Sequence, residues 1–161
     1  MTDRLRPGST APSYAHTQRG TVILTALAGG AVVCLAIMLI KDVPGFAPFI
    51  VAGIMAVTGV MFSTLTIEIA GDSLRWRFGP GLIRFREPLG GIARAEPTRT
   101  SFWCGWGIHL TLRGWLYNVS GFDAVLVTRK NGRTFLLGTD EPEKLSAAIN
   151  EAAGGRGAFD I

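Results

Sequence analysis

A cysteine and a histidine lie five residues apart in the stretch SFWCGWGIHL, residues 101–110. A cysteine nucleophile needs a base within hydrogen-bond reach and a group that lowers the pKa of its thiol. Cys104 is instead flanked by glycine and aromatic residues. His109 lies in the alternating segment GIHLTLR, on the face of Thr111 and Arg113, where we predict a solvated side chain. We therefore expect no catalytic residue in this stretch.

The same stretch does not suggest a metal site. The second cysteine, Cys34, lies in an apolar run, and the second histidine, His16, is near the N-terminus. Two single cysteines give neither a disulfide pattern nor the spacing of metal ligands. We expect no metal and no cofactor.

The aromatic residues of this stretch have two possible roles. Phe102, Trp103 and Trp106 could pack under a β-sheet, or they could lie at a membrane interface, where amphipathic rings concentrate. We keep these three residues as candidate interface aromatics, with at least one tryptophan expected to pack and another to face the interface.

Two long uncharged runs dominate the first half of the chain. Hydrophobic residues make up 48% of the sequence and charged ones 17%, and residues 21–40 contain no charge. At about 1.5 Å per residue this run matches the roughly 30 Å hydrocarbon core of a bilayer. A second uncharged run covers residues 44–67. A buried core helix or a signal peptide could also explain one such run, but a signal peptide is typically shorter, at about 7–15 apolar residues.

The sequence therefore predicts a transmembrane hairpin over residues 21–65, with helices at about 21–41 and 45–65. Arginines flank its outer ends, whereas Lys41 is the cation of the connecting turn. Because cytoplasmic flanks carry the excess of Lys and Arg, both termini should be cytoplasmic. This describes a multi-pass protein of the inner, cytoplasmic membrane.

Beyond the second run the hydrophobic period changes to two, which indicates β-strands. The segments LTIEIA, SLRWRF and LIRFR are separated by turns at residues 71–72 and 79–81. Pairing Ala70 with Ser73, and Phe78 with Ile83, places every apolar side chain of these strands on one face. A shift of one residue would mix the two faces, so this register is predicted.

That register gathers four arginines on the opposite face: Arg75, Arg77, Arg84 and Arg86. Arg77 should face Arg84, and Arg75 should face Arg86. Like charges directly across a ladder are destabilising, and Glu68 can serve Arg75 at most. The four side chains are either simply solvated or in contact with anionic lipid headgroups, and we keep them as candidate headgroup-binding residues.

Three more strands and a helix are predicted toward the C-terminus. The strands are at about 107–113, 122–129 and 133–138, and the helix starts at Asp140 as its N-cap, with Glu143 three residues later. The predicted organisation is a disordered cytoplasmic tail over residues 1–20, the hairpin, a β domain with a C-terminal helix over residues 66–153, and a flexible tail over residues 154–161.

From about residue 65 to 152, this order of elements resembles that of bacterial pleckstrin-homology-like domain proteins with an N-terminal transmembrane hairpin. The resemblance rests on a strand leaving a membrane span, the hairpin LRWRFGPGLIRFR, the linker PLGGIARAEP, the segment WGIHLTL and the final hairpin and helix. It implies an α+β membrane protein whose bent, seven-stranded antiparallel sheet or barrel is capped by one C-terminal helix. The first loop lacks the basic cluster with which many relatives hold phosphoinositides.

The interpretation is a membrane-anchored, cytoplasmic binding or scaffold module without catalytic activity. The alternative is an accessory or assembly subunit of a larger membrane complex, with the transmembrane helices as its interface. An enzyme lacks support, because the sequence has no phosphate loop and no Ser-His-Asp set. The implied partners are the lipid bilayer, anionic lipids and other membrane proteins or a second copy; nucleic acid is not among them.

Overall fold

The computed structural model describes residues 12–41 and 45–154. Within these ranges the chain forms three helices and nine strands. The helices are α1 (Thr21–Ile40), α2 (Ala47–Met61) and α3 (Pro142–Gly154). The strands are β1 (Tyr14–Arg19), β2 (Thr64–Ala70), β3 (Ser73–Phe78), β4 (Ile83–Pro88), β5 (Ile92–Arg99), β6 (Gly107–Thr111), β7 (Gly114–Asn118), β8 (Asp123–Arg129) and β9 (Thr134–Gly138). Short 3-10 turns occupy Leu89–Gly91 and Phe102–Cys104.

The two apolar helices differ in length. Helix α1 has 20 residues, and its most apolar window has a mean hydropathy of 2.6, so it is long and apolar enough to cross a membrane. Helix α2 has 15 residues and rises only about 22 Å. It is shorter than the predicted 45–65 because the chain turns at Phe62 and Ser63 and then enters β2. The helices pack together where Gly59 approaches Leu24.

Strand β1 corrects the prediction of a disordered tail over residues 1–20. It pairs antiparallel with β2, from Tyr14 opposite Ile69 to Arg19 opposite Thr64. Its sequence, YAHTQR, has no apolar alternation, so its order comes from the β2 edge with which it pairs. Residues 1–11 lie outside the described part of the chain, as do residues 155–161 of the predicted C-terminal tail and residues 42–44 of the turn between the helices.

The first sheet, sheet A, has the strand order β1-β2-β3-β4. Its register is the one that the alternation predicts: Ala70 pairs with Ser73, and Phe78 pairs with Ile83. Because side chains alternate between the two faces of a strand, this register gives the sheet one apolar face and one charged face.

The second sheet, sheet B, has the order β5-β8-β9-β7-β6. Its neighbours are antiparallel except for β7 and β9, which are parallel. The expected α+β class with a C-terminal helix is confirmed, but the described strands form two sheets rather than one seven-stranded sheet. Strand β5 occupies much of the segment taken as a linker, and β7 was not predicted.

Sheet B crosses sheet A with their apolar faces in contact. At the end of β8, Arg129 contacts Glu87 on β4, whereas beyond β9, Asp140 contacts His16 on β1. The antiparallel strands β8 and β9 therefore extend across sheet A, between its β1 edge and its β4 edge. The aromatic side chains at the centre of the core are Trp76, Phe78, Phe85, Tyr117 and Phe135.

One edge of sheet B faces the apolar helices. The ring of Tyr117 on β7 lies 6.5 Å from that of Phe78, which in turn lies 5.4 Å from Phe62 at the end of α2. Beyond β7, the Ser120 hydroxyl is 3.1 Å from that of Thr21, the first residue of α1. Strand β6, the neighbour of β7, is therefore the edge nearest the helices.

The opposite edge of sheet B is covered by α3. The side-chain amide of Asn150 donates to the Ala95 carbonyl and accepts from the Ala95 amide, each at 2.8 Å. This pair of bonds takes the place of a neighbouring strand at the β5 edge.

Helix α3 begins at Pro142, one residue later than the predicted N-cap at Asp140 implies. The carboxylate of Asp140 lies 2.5 Å from His16 Nε2, and Glu141 lies 3.5 Å from His16 Nδ1. The acidic residues at this helix start thus join α3 to β1, a contact that could not be predicted while His16 was assigned to a tail.

Candidate anionic-ligand surface

Four arginines on β3 and β4 form one continuous surface, the arginine face: Arg75, Arg77, Arg84 and Arg86. The structure places Arg75 opposite Arg86 and Arg77 opposite Arg84, as the register predicts. Together with Thr66 and Glu68 they line an open groove of about 610 Å³. Because Glu68 is the one acid in this lining, the groove carries an excess of positive charge.

Each arginine has different contacts. Arg77 forms an ion pair with Glu68 at 3.2 Å, so Glu68 neutralises Arg77 and not Arg75, the partner expected from the sequence. Arg75 donates to the Ser73 hydroxyl at 3.1 Å. The Arg84 guanidinium donates to the Gly81 carbonyl. Arg75, Arg84 and Arg86 have no carboxylate partner among the described residues.

Glu87, near the end of β4, does not relieve this charge. It lies on the apolar face of β4, where its carboxylate accepts two hydrogen bonds from Arg129, at 2.8 and 2.9 Å. That hydrogen bonding raises the pKa of the Arg129 guanidinium above its usual value. The cation also lies 4.7 Å from the centre of the Phe135 ring. Because strand alternation turns Glu87 into the core, its negative charge does not neutralise the arginine face.

The position of the arginine face relative to the helices is fixed by short connections. One residue, Gly20, separates β1 from α1, and two separate α2 from β2. The Gly20 amide donates to the Ser63 carbonyl at 2.7 Å, and the Gly79 amide donates to the Thr64 carbonyl at 2.9 Å. Sheet A is thus a direct continuation of the two helices.

The arginines lie in two rows that rise from the helix ends. Arg77 pairs with Thr66, two residues into β2, and Arg75 pairs with Glu68, four residues in. At about 3.3 Å per residue, the rows are roughly 7 and 13 Å beyond Thr64. Because an arginine side chain spans several ångströms, the guanidinium groups of the nearer row can extend to the level of the helix ends.

The histidine of the SFWCGWGIHL stretch is placed differently from the prediction. His109 is half-buried opposite Leu116, and its Nε2 is shielded from solvent without a hydrogen-bond partner among the described residues. Cys104 is half-buried and a free thiol. Within residues 12–41 and 45–154, no group of three or more His, Cys, Asp or Glu side chains could hold a metal ion.

The candidate interface aromatics separate into two environments. Trp106 is half-buried; its indole donates to the Gly121 carbonyl at 3.2 Å, and its ring lies 6.1 Å from Phe122. Trp103 is 92% exposed. The side chain of Phe102 lies outside the described part of the structure. Trp106 thus packs as expected for one of the two tryptophans, whereas an interfacial position for Trp103 stays a prediction.

No known family model matches the chain, and no curated protein or solved structure is similar enough to it to suggest a function.

Proposed function

We propose that the chain is a membrane-anchored, pleckstrin-homology-like binding or scaffold module, not an enzyme, whose arginine face binds anionic lipid headgroups. The observation that supports this most is the two rows of arginines, which begin about 7 Å beyond Thr64, the residue at which the chain enters sheet A after α2. Near an anionic leaflet each such cation gains about 1 kcal/mol. The headgroup phosphates would supply the negative charge that the arginine face lacks.

The proposal includes a membrane topology. Helices α1 and α2 form a hairpin in the inner membrane, with α2 using flanking residues to complete a shorter span, and both termini are cytoplasmic. Gly45 and Gly90 suit a cysteine test, because a Cβ at either position meets no atom within 4 Å. In intact cells an impermeant thiol reagent should label Gly45→Cys and not Gly90→Cys. Labelling of the Gly90 site would refute this topology.

Ligand binding can be tested on the full chain in neutral detergent. A ligand that binds the folded protein raises its melting temperature. We expect short-chain phosphatidylglycerol to raise it more than short-chain phosphatidylcholine, and the difference should shrink with salt. Inorganic phosphate at the same concentration tests whether the site recognises any phosphate or a headgroup attached to lipid.

The matched variants remove the same charge from two different surfaces. The first changes all four residues of the arginine face to glutamine. The second changes to glutamine four exposed cations of β5 and of the turn between β8 and β9: Arg94, Arg99, Lys130 and Arg133. Loss of the phosphatidylglycerol response in the first variant alone supports the proposal. An equal response to both lipids in the unmodified chain, or equal losses in both variants, leaves the arginines as a solvated surface.

The alternative function, a subunit of a larger membrane complex, predicts a different result. Purification from its native membrane in mild detergent would then yield a stoichiometric membrane protein partner that remains bound through α1 and α2. Co-purification of lipid without such a partner favours the binding module.

A further inference from the structure

A cluster of large apolar side chains is exposed around the β6–β7 hairpin. Its members, which we call the apolar shelf, are Trp103, Leu110, Leu112 and Trp115. Leu112 is fully exposed, and the exposed fractions of Trp103, Leu110 and Trp115 are 92%, 68% and 49%. The first three line one shallow groove. Single exposed apolar residues are normal on a protein surface, but a contiguous group of this size marks a site of interaction.

Two members of the shelf, Leu110 and Trp115, are the uncovered end of the core face of sheet B, whereas Trp103 lies in the loop before β6 and Leu112 in the turn after it. Leu110 and Trp115 pair across the ladder, on the same side as the next pair, Ile108 and Tyr117. Ile108 and Tyr117 pack into the core against sheet A, whereas Leu110 and Trp115 do not. The tip of the β6–β7 hairpin therefore extends past the area that packs against sheet A. This explains why Leu110, which alternates with His109 on β6, is more exposed than the histidine.

The shelf lies on the side of the domain that faces the helices, because β6 is the edge of sheet B nearest to α1 and α2. An exposed apolar residue outside the shelf also lies on this side of the domain. Leu82, in the turn between β3 and β4, is 77% exposed. The same turn touches the end of α2, since a Cβ added to Gly79 would lie 2.3 Å from the Val60 carbonyl oxygen.

We propose that the apolar shelf and Leu82 insert into the interfacial layer of the membrane that α1 crosses. This inference rests on the proposed membrane anchoring, but it concerns a surface separate from the arginine face. Tryptophan and leucine side chains are suited to the boundary between headgroups and acyl chains. Arg84 follows Leu82 closely, so that its charge can remain among the headgroups while the Leu82 side chain enters.

The occupant is thus the lipid surface and not a second protein. The domain would be held against the bilayer at three places: the junction with the helices, the shelf and Leu82. This contact orients the two sheets relative to the membrane and brings the nearer row of arginines to the headgroup layer.

Site-specific quenching on the full chain tests this insertion. In a background in which Cys34 and Cys104 are changed to serine, one cysteine is introduced at a time: Leu112→Cys in the shelf, Glu151→Cys on the exposed side of α3, and Val33→Cys in α1. Each variant carries an environment-sensitive fluorophore and is reconstituted into phosphatidylcholine nanodiscs. Quenching by nitroxide-labelled lipid is compared with quenching by aqueous iodide.

We expect the labels at positions 33 and 112 to lose most of their fluorescence with nitroxide lipid, and the label at position 151 to respond only to iodide. A Leu82→Cys variant should follow position 112. If position 33 is quenched by lipid while 112 and 82 respond only to iodide, the insertion is wrong and the membrane anchoring stands. If position 33 is not quenched by lipid, the anchoring itself fails. Protection of position 112 from both quenchers would show that protein covers the shelf, which also overturns the proposal.

Discussion

Glu87 on β4 and Arg129 on β8 join the two sheets through a two-point ion pair, with N–O distances of 2.8 and 2.9 Å. The Glu87 side chain is only 14% exposed, so replacement of its charge leaves the Arg129 cation poorly compensated. We expect Glu87→Gln to lower the free energy of unfolding by about 1–3 kcal/mol.

Glu68→Gln is the matched control for this prediction, because the Glu68–Arg77 pair is more exposed. Such surface pairs typically contribute about 0–1 kcal/mol. Thermal unfolding of both variants in detergent, followed by circular dichroism, measures the difference. Equal effects of the two substitutions would show that the inter-sheet pair contributes no more to stability than the exposed pair.

Gly79 is required at the junction between the β domain and α2. Gly79 and Gly71 both have positive φ, 47° and 55°, but only at Gly79 would a Cβ meet backbone, 2.3 Å from the Val60 oxygen. Both alanine variants should lose about 1 kcal/mol or more from the left-handed conformation. Gly79→Ala should lose clearly more, and its lower melting temperature relative to Gly71→Ala is the measurement. A melting temperature equal to that of Gly71→Ala would show that the backbone at the junction can shift to accommodate the Cβ at little cost.

Asn150 protects the β5 edge. Its amide makes two 2.8 Å hydrogen bonds to the backbone of Ala95, so Asn150→Ala should destabilise the fold by about 1–3 kcal/mol. It should also raise the rate of hydrogen exchange at the Ala95 amide. The exposed neighbour Glu151 serves as the control, since Glu151→Ala should change stability by less than about 0.5 kcal/mol. Unchanged exchange at Ala95 in Asn150→Ala would contradict the proposed edge protection.

The two tyrosines should ionise only at unusually high pH. Burial, assisted by the negative charge of Glu141, raises the pKa of Tyr14 from 10.0 to about 12, and burial also raises the pKa of Tyr117. The folded chain holds these protons more tightly than the unfolded chain. The corresponding stability is therefore fully present below pH 10 and is lost as the pH rises through the folded pKa values.

Absorbance at 295 nm reports this titration directly, because the chain contains two tyrosines. Near pH 10 the native protein should show little phenolate, whereas the denatured protein should be about half ionised. In Tyr14→Phe the step near pH 12 should disappear. A native titration that coincides with the denatured one would mean that neither ring is protected.

The sequence by itself determined the local elements whose pattern is strong. The uncharged run at residues 21–40 became α1 with nearly the predicted ends, and the alternation in LTIEIA, SLRWRF and LIRFR fixed the register of β2, β3 and β4. The alternation in these segments is enough to set their register, because a shift of one residue would bury arginine and expose tryptophan. The arginine face followed directly from that register.

Only the tertiary structure decided which weakly patterned segments become ordered. β1 has no apolar alternation, and β5 contains a proline and several charges, so each is a strand because a sheet edge is available to it. The partners of Glu87 and Asp140 depended on how sheet B crosses sheet A, a relationship that is distant in sequence. The exposure of the apolar shelf has the same origin, since alternation assigns Leu110 to the core face, and only the extent of the opposing sheet determines whether that face is covered.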